Sequence, residues 1–115
     1  MSQAKQVTAE TFQREVVQSE VPVLVDFYAT WCGPCRMMGP VLDRVAAQVA
    51  TRAKVVKVNV DEDPGLAGEF NVSSIPTLVL FSNGKAAGRI VGLARAEQLV
   101  EMIDKAAAPA QAAAR

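Results

Sequence analysis

Cys32 and Cys35 are the only two cysteines in the chain, and they stand three residues apart in Trp31-Cys32-Gly33-Pro34-Cys35. A lone C-x-x-C invites thiol–disulfide or metal chemistry. Ahead of it runs Val23-Leu24-Val25-Asp26-Phe27-Tyr28-Ala29, short and almost continuously apolar, the pattern of a strand buried on both faces. Behind it Met38, Val41, Leu42, Val45 and Val49 recur at helical spacing. Cys32 therefore falls where a buried strand ends and a helix begins. The free N–H groups and the dipole at a helix N-terminus stabilise an anion, so the Cys32 thiolate is favoured and the side chain is expected to be exposed. Cys35, one turn further in, is expected to be more buried and close enough to attack a disulfide formed by Cys32. Gly33 lets the backbone turn closely, and Pro34 fixes the first helical turn. The pair suits thiol–disulfide exchange, with Cys32 as attacking thiol and Cys35 as resolving thiol.

Zinc binding and an inert pair stay open as rivals. A structural zinc site takes four ligands, and a chain with two cysteines and no histidine supplies two, so zinc would need a metal-bridged dimer. A purely structural disulfide is the poorer reading, because so short a loop removes little unfolded-state entropy. The absence of histidine also excludes Ser-His-Asp and Cys-His nucleophilic sites. Asp26 is a second anomaly. An unpaired carboxylate inside an apolar strand is costly, and the usual escape is a raised pKa that leaves it neutral. Six residues before Cys32, on the strand feeding the same helix, it is placed to accept the proton of Cys35. The alternative is an ordinary aspartate exposed at a sheet edge.

The elements that must position these groups follow from the rest of the chain. Its 115 residues make one domain; half are apolar and only six aromatic, so an aliphatic core is expected. Twelve basic residues balance twelve acidic ones, and without a basic run nucleic acid is not the expected partner. No apolar stretch approaches the ~20 residues of a membrane span. The first residues lack a signal-peptide pattern, which points to the cytosol. Ala4 to Val7 reads as a short edge strand. Thr8 reads as a helix N-cap with Val7 stapled onto Phe12, and Glu10 and Arg14 as an i,i+4 pair. Val55 to Val60 is the next strand, and Asp63-Pro64 opens a short helix that Asn71 ends in the left-handed conformation. Thr77 to Phe81 and Lys85 to Val91 form a hairpin around Asn83-Gly84. Leu99, Met102, Ile103 and Ala106 mark a last helix, with Ala94 as a weak N-cap, that Pro109 should end. The expected domain is 1–107, with a disordered Ala/Gln/Pro tail over 108–115. The element order β-α-β-α-β-α-β-β-α implies an α/β fold with a mixed sheet of about five strands flanked by four helices.

Val25-Asp26-Phe27-Tyr28-Ala29-Thr30-Trp31-Cys32-Gly33-Pro34-Cys35 resembles the active-site segment of the thioredoxin family. Lys57-Val58-Asn59-Val60-Asp61, Ile75-Pro76-Thr77 and Phe81-Ser82-Asn83-Gly84-Lys85 resemble its other signatures, in the family's order and spacing. The resemblance runs from about Val7 to Ala107 and implies a thioredoxin-like fold and protein-disulfide reductase activity. It implies Cys32 as nucleophile, Cys35 as resolving thiol, and Asp26 as buried acid tuned by Lys57. It implies a cis Pro76 facing the cysteines, with Ile75 offering backbone hydrogen bonds to an extended substrate segment. Trp31, Gly33, Pro34 and Gly92 would line a flat contact surface. No bound cofactor or metal is implied; electrons would come from NADPH through a flavoprotein thioredoxin reductase. That reductase and disulfide-containing proteins would be the partners of a cytoplasmic monomer. The family often carries glycine just before Ile75, where this chain has Ser74 after Ser73, and Tyr28 and Gly39 are less usual. The Gly-Pro pair adds no charge to stabilise the Cys32 thiolate, so, as in the low-potential members of that family, the dithiol is expected to be reducing. The rival from another class is a non-catalytic binding or accessory module using the apolar surface around Trp31.

Overall fold

A computed structural model describes residues 2–113, with side chains over 2–106. Its elements are β1 (Lys5–Gln6), α1 (Ala9–Phe12), β2 (Val23–Tyr28), α2 (Gly33–Val49), β3 (Lys54–Asn59), α3 (Pro64–Glu69), β4 (Thr77–Ser82), β5 (Lys85–Val91) and α4 (Ala96–Ala113). This is the order the sequence predicts. The strands form one sheet in the order β1-β3-β2-β4-β5, with β1 and β2 parallel to β3 and with β4 antiparallel to both β2 and β5.

β2 lies at the centre, and all six of its residues are buried. Alternation along it divides the core in two. Leu24 joins Val55, Leu78 and Leu80 beneath Met38, Leu42, Val45 and Val49 of α2 and Leu99 and Ile103 of α4. Val25 and Phe27 join Val56, Val58, Val79 and Phe81 on the other face, with Phe12 and Leu66. The core is aliphatic on the first face only. On the second, Phe70 lies 5.3 Å from Phe12, 5.0 Å from Phe81 and 6.4 Å from Phe27 between ring centroids, so all four phenylalanines form one cluster. Asp26 shares the parity of Leu24 and so belongs to the face that α2 covers.

Local sequence accounts for most boundaries. Thr11 Oγ1 accepts the Thr8 N–H at 3.0 Å, and Val7 and Phe12 share a core cluster as the staple requires. After Phe12 the helix widens into a π turn over Gln13–Val17. The wider turn takes Arg14 off the line of Glu10, and the expected pair is corrected: Arg14 Nε donates to Glu15 Oε2 at 3.4 Å. Asn71 takes a φ of 57° after α3, and Asn83 and Gly84 take 55° and 79°, the left-handed pair that a two-residue hairpin loop demands.

α4 departs from expectation at both ends. The Leu99 N–H bonds to the Arg95 carbonyl, so Arg95 precedes the first turn, while Ala94 is buried in the core. At the other end the helix passes Pro109, where the sequence pattern ended it, and runs to Ala113. Proline removes one intrahelical donor, and the surrounding alanines, the best helix formers, carry the backbone past it. Residues 114–115 of the expected tail lie outside the described residues. No described helix is long and apolar enough to cross a membrane.

Candidate active site

Cys32 is the N-cap of α2, with extended backbone (φ −85°, ψ 114°), and Pro34 stands in the first turn. The Cys35 N–H points back and donates to Cys32 Sγ at 3.1 Å. This is the helix-terminus contact that stabilises negative charge on sulfur. Cys32 and Cys35 are joined in a disulfide, with Cα atoms 5.2 Å apart. Cys35 is fully buried and Cys32 is 5% exposed. The expected ranking holds, but Cys32 is far less open than a helix terminus alone suggests. Tyr28 and Ala29 pack with the cysteines, Val60 and Ile75 flank them, and the Ile75 carbonyl oxygen lies 3.8 Å from Cys32 Sγ. Gly33 has no positive φ, and a Cβ built there would meet only Arg36, at 4.0 Å. Packing within the chain therefore does not require glycine at that position.

Asp26 is 2% exposed, and its Oδ1 has no hydrogen-bond partner among the described residues. Burial pushes its carboxyl up to about 7, and the Lys57 ammonium opposes that rise. The edge-aspartate alternative fails because β2 is the central strand. Asp26 stands opposite Lys57 of β3 and Leu78 of β4. Lys57 itself is half-buried: its Nζ donates to the Ser2 carbonyl at 2.7 Å and sits 5.5 Å from the centroid of the Tyr28 ring. Tyr28 Oη donates to Gln6 Oε1 at 3.3 Å, and burial, followed by the Glu62 charge, pushes its phenol up.

The remaining residues border the disulfide. The Ile75–Pro76 bond is cis, and the Pro76 carbonyl accepts the Gly92 N–H at 2.8 Å, with Gly92 at a φ of 91°. Thr77 Oγ1 donates to the Ser74 carbonyl at 2.6 Å, closing the turn into β4, while Ser73 and Ser74 are exposed. Trp31 is 67% exposed, yet its Nε1–H is fixed on Asp61 Oδ2 at 2.8 Å. Asp61 was not singled out from sequence; an exposed tryptophan wants an acceptor, but which one is a tertiary fact. Met37, Val91 and Leu93 are also exposed large apolar side chains. Met37 gave a signal that sequence reasoning passed over, being an apolar residue beside the helical stripe rather than on it. No group of three or more His, Cys, Asp or Glu side chains is arranged to hold a metal ion among the described residues.

The family model described as Thioredoxin matches residues 3–105. The chain belongs to the thioredoxin family. It is similar to Thioredoxin 1 of Synechococcus elongatus, at 49% identity over 91% of this chain and 98% of that protein. It is 50% identical to Thioredoxin 1 of a Nostoc species over the same shares, and 42% identical to a thioredoxin of Rickettsia felis over 89% of this chain and 97% of that one. With the bonded Cys32–Cys35 pair, membership in the thioredoxin family makes the chain a thiol–disulfide oxidoreductase. The accessory-module reading is not favoured.

Proposed function

We propose that this thiol–disulfide oxidoreductase works as a cytoplasmic, monomeric reductase of protein disulfides. Cys32 is the nucleophile. Its thiolate attacks one sulfur of a substrate disulfide, forming a mixed disulfide and releasing the other substrate sulfur as a thiolate. Cys35 then loses its proton to Asp26 and attacks Cys32 Sγ. The second substrate sulfur leaves as a thiolate, and two electrons have passed from the dithiol to the substrate. Lys57 tunes Asp26. Trp31, Ile75, Pro76 and Gly92 receive the substrate, the backbone of Ile75 pairing with an extended segment as an added strand. Gly33 and Pro34 shape the turn between the cysteines.

The observation that carries this reading is Cys32 at the N-cap of α2, accepting the Cys35 N–H, with the buried Cys35 bonded to it from one turn away. The uncharged Gly-Pro pair supports the reducing direction, since nothing between the cysteines adds to the stability of the thiolate. A flavoprotein thioredoxin reductase would return the electrons from NADPH. The test is NADPH oxidation with such a reductase and insulin as the model protein disulfide. Steady turnover only when the chain is added is the expected result. No turnover with both thiols intact would overturn the reductase reading.

A further inference from the structure

The segment before β1 is tied down more firmly than its position near a terminus requires. Ser2 is buried; its Oγ donates to Asp43 Oδ1 of α2 at 3.1 Å and accepts the Ala4 N–H at 2.9 Å. The Gln3 N–H donates to the same Asp43 oxygen at 2.9 Å. The Ser2 carbonyl, presented by this turn, takes the Lys57 ammonium at 2.7 Å. The segment thus bridges α2 and β3, the elements that flank Asp26. Lys57 and Asp26 are register partners in a parallel pair, so their side chains rise on the same face. Neither a hydrogen bond nor an ion pair within 4.0 Å joins them, although Asp26 Oδ1 has no partner among the described residues.

We propose that Asp43 and Ser2 form a latch that holds the Lys57 ammonium on the Ser2 carbonyl, withheld from Asp26, so that Asp26 keeps the affinity for a proton that exchange with Cys35 requires. Asp43 and Ser2 are positioning residues: they act on the carboxyl through Lys57. The inference rests on the reading of Asp26 as the acid that serves Cys35. The other titratable group that feels the Asp26 charge is Tyr28 on β2, and Cys35 at the start of α2 is held in the disulfide; β4 presents Leu78, and α2 and α4 contribute Met38, Leu42, Leu99 and Ile103 to the same face. Lys57 is therefore the one cation in position to change the balance among the described residues. Releasing it allows it to pair with the unpartnered carboxylate oxygen and allows water to reach its side of the face. Both effects favour the ionised carboxyl.

The test is a carbon-13 titration of the Asp26 carboxyl in the full-length dithiol form of the parent, Asp43→Ala, Asp43→Asn and Ser2→Ala. Asp43→Ala removes the acceptor, and the Asp26 midpoint should fall by about one pH unit. Asp43→Asn keeps an oxygen at the same place and should stay with the parent. Ser2→Ala removes one bond of the latch and should shift the midpoint less, in the same direction, which keeps the test open if Asp43→Ala does not fold. An unmoved or raised midpoint in the alanine variants, or an equal shift in Asp43→Asn and Asp43→Ala, overturns the latch. The pH profile of insulin reduction is read in parallel. A midpoint that falls while that profile stays in place supports the latch and removes Asp26 from turnover instead.

Discussion

Asp26 sets stability against the proton-accepting role proposed for it. Its carboxyl rises from an ordinary 3.8 to about 7 in the folded chain, mainly through burial. A group whose folded pKa is raised leaves stability intact below its unfolded pKa and withdraws it as pH rises through the folded value. A rise of this size corresponds to roughly 3–4 kcal/mol of destabilisation at pH 7 and less than about 1 kcal/mol at pH 4. Asp26→Asn removes the charge but buries an amide, so a gain of about 2–3 kcal/mol is expected at pH 7, with slower turnover. Urea melts at the two pH values check it, and coincident melts at pH 7 would dispose of the strained acid. The cysteines make a second asymmetry. Only Cys32 has measurable exposure, and only Cys35 stands where it can release a mixed disulfide on Cys32. Cys35→Ser should accumulate covalent complexes with substrate proteins in a cell lysate, whereas Cys32→Ser should form few or none. Non-reducing gels decide between them, and equal trapping by both variants would reverse the assignment of nucleophile and resolver.

The elements divide into those written in local chemistry and those decided by neighbours. The Asn83-Gly84 loop, the Asn71 terminator and the strand-to-helix junction at Cys32 were legible, because each depends on a backbone conformation or an apolar period carried by adjacent residues. The π turn after Phe12 was not, since Gln13–Val17 contains no residue that demands it. Gly84 shows how a local signal gains tertiary weight. Its φ is 79°, and a Cβ there would lie 3.0 Å from the Val17 carbonyl oxygen and 3.3 Å from Val17 Cγ1. Gly84→Ala should therefore lose about 2–4 kcal/mol, through the left-handed conformation and the collision with backbone together. The hairpin lies at the far end of β4 from Pro76, about 20 Å of strand away. Activity per folded molecule should stay at the parent level. Denaturant melts with an insulin assay at low temperature read both, and a variant as stable as the parent would mean that the loop yields freely.

At the scale of the whole molecule, the mixed sheet, its covered faces and the location of the disulfide followed from the order of elements and the apolar periods. What stayed hidden joins residues far apart in the chain. Asp61 fixes Trp31 across 30 positions, and Asp43 fixes Ser2 across 41, contacts for which no periodicity leaves a trace. The gathering of all four phenylalanines on one face is of the same kind, because strand parity assigns a face only once the partners are known. The C-terminal end tests the opposite case, a segment with low-complexity sequence and no expected role. Past Ile103, Asp104 and Lys105 are exposed and Ala106 packs half-buried against the core, and the remaining residues are Ala, Gln, Pro and a final Arg. A segment whose sequence carries no large apolar side chain has little to contribute to a core beyond the marginal propensity of its helix. Deleting residues 108–115 should accordingly leave the melting temperature within about 1–2 °C of the parent and insulin reduction unchanged. Thermal melts of the two forms at equal concentration provide the measurement. A fall of several degrees would show that the turns beyond Pro109 dock on the domain, and a loss of activity at unchanged stability would place the C-terminal end in substrate or reductase contact.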